Sequence, residues 1–198
     1  MVDLAYTISV GLPYLVLLGQ IWIIVTLIAI IIKKQLSIAH QYISKVRAHA
    51  ATLALVVSSV CLLGSLFYSE IIGYIPCKLC WYQRILMYPQ TVLLAGAVIR
   101  EELTIRRELL ALCALGLVVS GYHYGLQLFA MATPGFSDAC TATGVSCATA
   151  EVFAFGYMTI PLMAFTGFAM IALLLVMGKT VAPQTAKIFK RLPSSKDP

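Results

Sequence analysis

The chain has 198 residues, 61% hydrophobic and 11% charged, with a mean hydropathy of +0.93. Soluble domains carry about 45–50% apolar and roughly 25% charged residues, so a soluble globular fold is excluded and an integral membrane protein is expected. The net charge of +6 lies mostly in three short basic blocks between apolar runs, which fits topology and contact with membrane lipid rather than nucleic-acid binding.

Leu12 to Ile32 reads as the first span. Fourteen of its twenty-one residues are Leu, Ile or Val and none is charged. At about 0.3–0.6 kcal/mol each, these favour insertion by roughly 4–8 kcal/mol. Asp3, the lack of Lys or Arg ahead of the run and the run's length argue against a signal peptide. Lys33 to Arg47 is a basic, partly helical connection, and Ala48 to Ser69 is the second span.

The third span, roughly Tyr82 to Ile99, carries Gln83, Arg84, Pro89 and Gln90 and needs neighbouring helices to satisfy its polar groups. A charged turn, Arg100 to Glu108, leads into the fourth span, Leu109 to about Met131. The loop Ala132 to Glu151 holds Cys140 and Cys147 and no Lys or Arg. Phe153 to Met177 is the fifth span, and Gly178 to Pro198 is a polar, basic tail.

Five spans put the termini on opposite sides. Twelve of the fourteen basic residues fall on one side, and only Lys78 and Arg84 on the other. The positive-inside rule then places the N-terminus and both cysteine loops outside and the C-terminus in the cytoplasm. Thiols on that outer side meet oxidising conditions.

Four of the six cysteines lie outside the apolar interiors: Cys77 and Cys80 as a C-x-x-C, and Cys140 with Cys147. Closing the eight-residue Cys140–Cys147 loop would stabilise by only about 2.5 kcal/mol in the chain-entropy model. A structural loop disulfide is one reading of that pair. A redox-exchanging pair is the other, since exchange needs an accessible sulfur and a loop that lets three sulfurs line up. For Cys77 and Cys80 the alternatives are a redox pair, an inert disulfide, or half of a four-thiolate zinc site. An oxidising compartment and the apolar neighbours Leu79 and Trp81 weigh against zinc.

Arg84 follows Cys80 by four residues, one helical turn, so both project from one face. A guanidinium there can lower a thiolate pKa or hydrogen-bond a carbonyl oxygen; the alternative is snorkelling to lipid phosphate. His123 and Gln127 form a second pair one turn apart, a candidate functional pair at membrane depth, with a satisfied core histidine as the alternative. Cys61 and Cys113 read as packing residues, and Asp138 and Glu151 as solvated.

These residues resemble the DsbB family of quinone-linked disulfide oxidoreductases, particularly its BdbC-like Gram-positive branch, over about Ala48 to Met177. The most specific segment is Pro76-Cys77-Lys78-Leu79-Cys80-Trp81-Tyr82-Gln83-Arg84 followed by Tyr88-Pro89. Tyr122-His123 with Gln127, and Phe155-Gly156-Tyr157-Met158-Thr159-Ile160-Pro161, are similar to further family elements. The resemblance implies an all-α, four-helix transmembrane bundle, here with an additional N-terminal helix. It implies electron flow from a soluble or lipid-anchored thioredoxin-fold thiol oxidase, DsbA- or BdbD-like, to a membrane quinone, ubiquinone and menaquinone not being distinguished. Carried over by position, Cys140-Cys147 is the shuttle disulfide, with Cys140 attacked by the partner's thiolate. Cys77-Cys80 is then the quinone-side disulfide, with Cys80 nearest the quinone and Arg84 assisting, and His123 and Gln127 align with a quinone-proximal turn.

Two features depart from the family pattern: the first span is additional, and the second cysteine loop is shorter than in Gram-negative members. The domain reading is therefore 1–47 for the extra helix and connection, 48–177 for the bundle and 178–198 for the tail. Rival readings are a vitamin K epoxide reductase-like enzyme, whose C-x-x-C lies on the last helix of its bundle, and a non-catalytic zinc-binding membrane scaffold.

Overall fold

In the computed structural model the described residues are 2–101, 103–133, 136 and 145–178. Six α-helices follow one another: α1 Val2–Ile32, α2 Ser37–Ala48, α3 Ala50–Leu66, α4 Lys78–Ile99, α5 Arg106–Ala132 and α6 Ile160–Met177. A π-helical turn, Phe67–Ile71, prolongs α3. Among the described residues the only β-type pairing is an isolated bridge between Ala154 and Met158. The fold is all-α.

Among the described residues four stretches are long and apolar enough to cross a bilayer: Ile8–Ile32, Ala50–Ile71, Arg106–Ala132 and Ile160–Met177. The sequence reading expects five, and the shortfall is α4. At 22 residues α4 is long enough, about 33 Å at 1.5 Å per residue, but Lys78, Gln83, Arg84 and Gln90 dilute its hydropathy. Its two glutamines turn inward, whereas Lys78 stays exposed. Gln83, Met87, Gln90, Leu94 and Ala97 are buried, a stripe with helical spacing, and α4 packs between α3 and α5. Gln90 Nε2 donates to the Leu86 carbonyl at 2.9 Å, and the Cys113 thiol donates to Gln90 Oε1 at 3.2 Å.

The most interior helix is α6, which meets α1, α3 and α5. Small residues set how closely it approaches them, as expected where packing rather than water drives helix association. Gly116 of α5 lies against the Phe168 ring, and Gly167 lies against the Cys61 sulfur of α3. Gly19 of α1 faces Met170. Polar links complete the docking of α1: Gln20 Nε2 donates to Thr166 Oγ1 at 3.2 Å, and Gln20 Oε1 accepts from the Tyr157 hydroxyl at 2.8 Å.

One end of the bundle is basic by construction. Arg47 Nε donates to the Met177 carbonyl at 3.0 Å, and Arg106 Nη2 to the Val176 carbonyl at 2.8 Å. Both cations meet carbonyls that a helix C-terminus leaves without intrahelical partners.

The last helix starts later than the sequence reading has it, at Ile160 rather than Phe153. Phe155 and Gly156 both take positive φ, 54° and 77°, the conformation of a type I′ turn and incompatible with a right-handed helix. The Tyr157 amide closes that turn onto the Ala154 carbonyl at 3.2 Å. Thr159 then supplies an extended cap and Pro161 sits in the first turn, where a missing N–H costs nothing.

Candidate active site

At the other end of the bundle, α4 begins at the C-x-x-C. Cys77 is its N-cap, with φ −71° and ψ 173°, and its sulfur accepts from the Cys80 amide at 3.4 Å. Both cysteines are free thiols, and their sulfurs stand 3.4 Å apart. Cys77 is buried and Cys80 partly so. They precede the stretch read as crossing the membrane.

His123 reaches this pair from α5. Its Nε2 lies 3.7 Å from Cys77 Sγ and 3.0 Å from the carbonyl oxygen of Cys147. Its Nδ1 is 3.0 Å from Gln83 Nε2, one turn along α4. With the Gln83 amide donating to Nδ1, the proton of a neutral ring sits on Nε2 and points at the Cys147 carbonyl and the Cys77 sulfur. One turn further along α5, Gln127 Nε2 donates to the Thr149 carbonyl at 2.8 Å. The two residues read as a pair in the sequence therefore hold the backbone of the second cysteine segment against the first cysteine pair.

Electrostatics divide the two thiols. Cys77 falls to about 4, first because the Cys80 side chain hydrogen-bonds to its sulfur, with further help from His123 and the Cys80 amide, while burial opposes the shift. A sulfur at a helix N-terminus gains from the same donors. Cys80 is pushed up, first by its bond to Cys77 and then by burial; Arg84 acts on it in the opposite sense and more weakly. In the dithiol, thiolate character belongs to Cys77. The sequence reading associates Arg84 with a Cys80 thiolate. Here the Arg84 Nη2 donates to the Ser65 carbonyl at 3.0 Å, and the guanidinium lies over the Trp81 ring at 5.3 Å. Tyr88 fixes the same spot of α3 through Ser65 Oγ at 3.2 Å.

A cavity of about 550 Å³ runs from these residues into the bundle. Cys77, Cys80, Arg84, His123 and Gln127 all line it, and Leu12, Val16, Gly19 and Trp22 of α1 form part of its wall. The lining is mostly apolar, with few polar groups near the cysteines, the usual character of a small-molecule site. Gln127 Oε1 is buried there without a hydrogen-bond partner among the described residues.

Of the remaining residues singled out in the sequence, Cys147 is buried and disulfide-bonded, whereas Cys140 and Asp138 lie outside the described residues. Glu151 is exposed, and Cys113 is fully buried in the core. Sequence reasoning named Gln83 as a polar group in need of a neighbouring helix but not His123 as its partner, and did not single out the α1 wall. Gln83 had a signal: an amide one turn inward from a C-x-x-C, in a membrane helix, needs a partner.

Paired thiols held at a helix N-terminus in an apolar helical bundle, with an imidazole between them and a second cysteine segment, define a membrane thiol–disulfide chemistry. The profile of the family described as disulfide bond formation protein DsbB matches residues 47–178, so the chain belongs to the DsbB family and is a membrane thiol–disulfide oxidoreductase. It is 42% identical over 116 residues to a probable disulfide formation protein C 1 of Bacillus cereus, covering 58% of this chain and 81% of that one. It is 38% identical over 126 residues to disulfide bond formation protein C of Bacillus subtilis, covering 63% and 88%. A probable disulfide formation protein of Metapseudomonas resinovorans is 39% identical over 120 residues, covering 61% and 82%. No solved structure matches significantly.

Proposed function

We propose that the protein reoxidises an extracytoplasmic thioredoxin-fold thiol oxidase and passes the electrons to a membrane quinone. The observation that carries this reading is the apolar cavity lined in part by Cys80, Arg84 and the Gln127 amide. It fits a lipid-soluble carrier whose polar head needs a few donors and acceptors. Arg84 and Gln127 would hold that head, and a quinone bound there would supply the capacity to take up two electrons and two protons.

The chain's own residues carry the rest. The partner's thiolate attacks Cys140, and the partner's second thiolate releases it as a disulfide, leaving Cys140 and Cys147 reduced. Cys140 and Cys147 then close again by reducing Cys77-Cys80 through a mixed disulfide. The Cys77-Cys80 dithiol returns to a disulfide by giving up two electrons and two protons. His123 holds the Cys147 backbone beside Cys77 and offers its Nε2 as the nearest proton carrier.

In this reading α4 is a fifth crossing of the bacterial plasma membrane, supported by its length and its place between α3 and α5. Both cysteine pairs face outward, the N-terminus is outside and the C-terminus cytoplasmic, which the twelve-to-two split of basic residues supports. The deciding experiment is quinone reduction by purified protein supplied with a reduced thioredoxin-fold donor. No reduction with any quinone class would end the reading. Orientation is tested separately with an impermeant thiol reagent on reduced, intact spheroplasts; labelling of the four cysteines only after lysis would reverse the topology.

A further inference from the structure

Three soft or borderline donors converge in the lining of the cavity. Cys77 Sγ, Cys80 Sγ and a His123 ring nitrogen all lie within 4.8 Å of one another. Two edges of that triangle are 3.4 Å, sulfur to sulfur, and 3.7 Å, Cys77 sulfur to His123 Nε2. In a tetrahedral zinc site with Zn–S near 2.3 Å and Zn–N near 2.0–2.1 Å, ligand-to-ligand edges are about 3.6–3.8 Å. Those two edges already stand close to the separations that one ion imposes, and the third is within 4.8 Å.

We infer that the reduced protein captures a borderline-soft divalent ion, of which Zn²⁺ is the prime example, at Cys77, Cys80 and His123, and that closing the Cys77-Cys80 disulfide expels it. Binding replaces the thiol protons of the pair, which pass to solvent, and involves no electron transfer. The oxidised pair has no thiolate to offer, so the site exists only in one half of the redox cycle. A fourth ligand would come from water in the cavity that these residues line, where Gln127 Oε1 is a buried acceptor with no partner among the described residues.

Gln83 makes the histidine a prepared ligand rather than a nearby one. It holds Nδ1 at 3.0 Å, fixing the ring plane with Nε2 toward the sulfurs. When a metal occupies Nε2 the proton moves to Nδ1, and the buried amide turns its oxygen to accept it, the usual outer partner of a metal-bound imidazole. The ion would displace the His123 bond to the Cys147 carbonyl. Metal capture and the hold on the second cysteine segment are therefore alternatives. With Cys147 held in its disulfide the three donors are Cys77, Cys80 and His123 alone, and the Cys140 and Cys147 variants below separate this set from a four-thiolate one.

Co²⁺ titration of the full-length protein in detergent tests this, read by thiolate-to-cobalt charge transfer and the ligand-field bands of a tetrahedral ion. Reduced wild type should bind one equivalent with both signatures, and diamide-oxidised wild type none; this arm needs no substitution and so survives any folding defect. Cys77→Ser and Cys80→Ser should each remove much of the charge-transfer band. Gln83→Leu should weaken binding about ten- to a hundredfold while leaving the spectrum tetrahedral. His123→Gln should change the spectrum itself. Equal binding by the oxidised protein, or a signal lost in Cys140→Ser with Cys147→Ser but kept in Cys77→Ser with Cys80→Ser, overturns the inference. Because no quinone or partner protein is present, the outcome is independent of the proposed electron route.

Discussion

Gln83 Nε2 and His123 Nδ1 are 3.0 Å apart, forty residues distant in the chain and both buried. This bond joins α4 to α5 beside the thiols and decides which ring nitrogen faces the Cys77 sulfur. Removing it should do two things at once.

Gln83→Leu should lower stability by about 1–3 kcal/mol, because a buried imidazole loses a partner it cannot replace with water. It should also slow transfer from the second cysteine pair to Cys77-Cys80, since the ring no longer holds Nε2 in place. Thermal unfolding in detergent and rapid-quench thiol trapping read the two effects separately. A stability loss with unchanged transfer would leave Gln83 a packing residue only.

Arg84 has a mixed assignment to test. Arg84→Ala should weaken apparent quinone affinity about ten- to a hundredfold, as for loss of one charge-assisted hydrogen bond of about 1.5–3 kcal/mol. Arg84→Lys should fall between the two, keeping the charge but losing the planar fork that now reaches the Ser65 carbonyl. Quinone titrations at matched expression decide it. Lys equal to Arg, with Ala harming only membrane insertion, would indicate snorkelling.

Exchange order can be read from trapped species. Cys147→Ala should leave Cys140 joined to the partner as a heavier, reductant-sensitive band, because the resolving thiol is gone. A stable complex in Cys140→Ala instead would reverse the assignment.

Packing offers a prediction free of chemistry. Gly116→Leu drives a side chain into the Phe168 ring and should cost about 1–3 kcal/mol by overpacking. Gly125→Ala, on the same helix with open space around its Cα, should be neutral or slightly stabilising. Thermal unfolding of the pair, side by side, measures the difference.

Much of this arrangement can be read from residue order. The apolar runs mark α1, α3, α5 and α6, and the C-x-x-C marks the start of α4. Arg84, His123 and Gln127, named from spacing and resemblance, line one cavity with Cys77 and Cys80. What escapes the sequence does so for physical reasons. The sequence reading takes α4 as a span, but which of its polar residues turn inward depends on the neighbouring α3 and α5, which a hydropathy scale does not see. The late start of α6 depends on the positive φ of Phe155, which no composition rule anticipates in an aromatic residue. The docking of α1 is hidden because lipid and protein interior are both apolar, so a helix this apolar displays no periodic face beyond the lone cues of Gln20 and Thr26. Thiolate placement on Cys77 follows from the N-cap and the Cys80 bond, which spacing alone does not rank.

The matched family region ends at residue 47 on its N-terminal side, yet Gln20 on α1 satisfies both the Tyr157 hydroxyl and Thr166. A chain cut back to residues 47–178 would lose both bonds. It would strip one wall from the cavity, take the acceptor from the Tyr157 hydroxyl, and leave Thr166 with only the Leu162 carbonyl. The helix that family membership treats as an appendage is, in this protein, masonry.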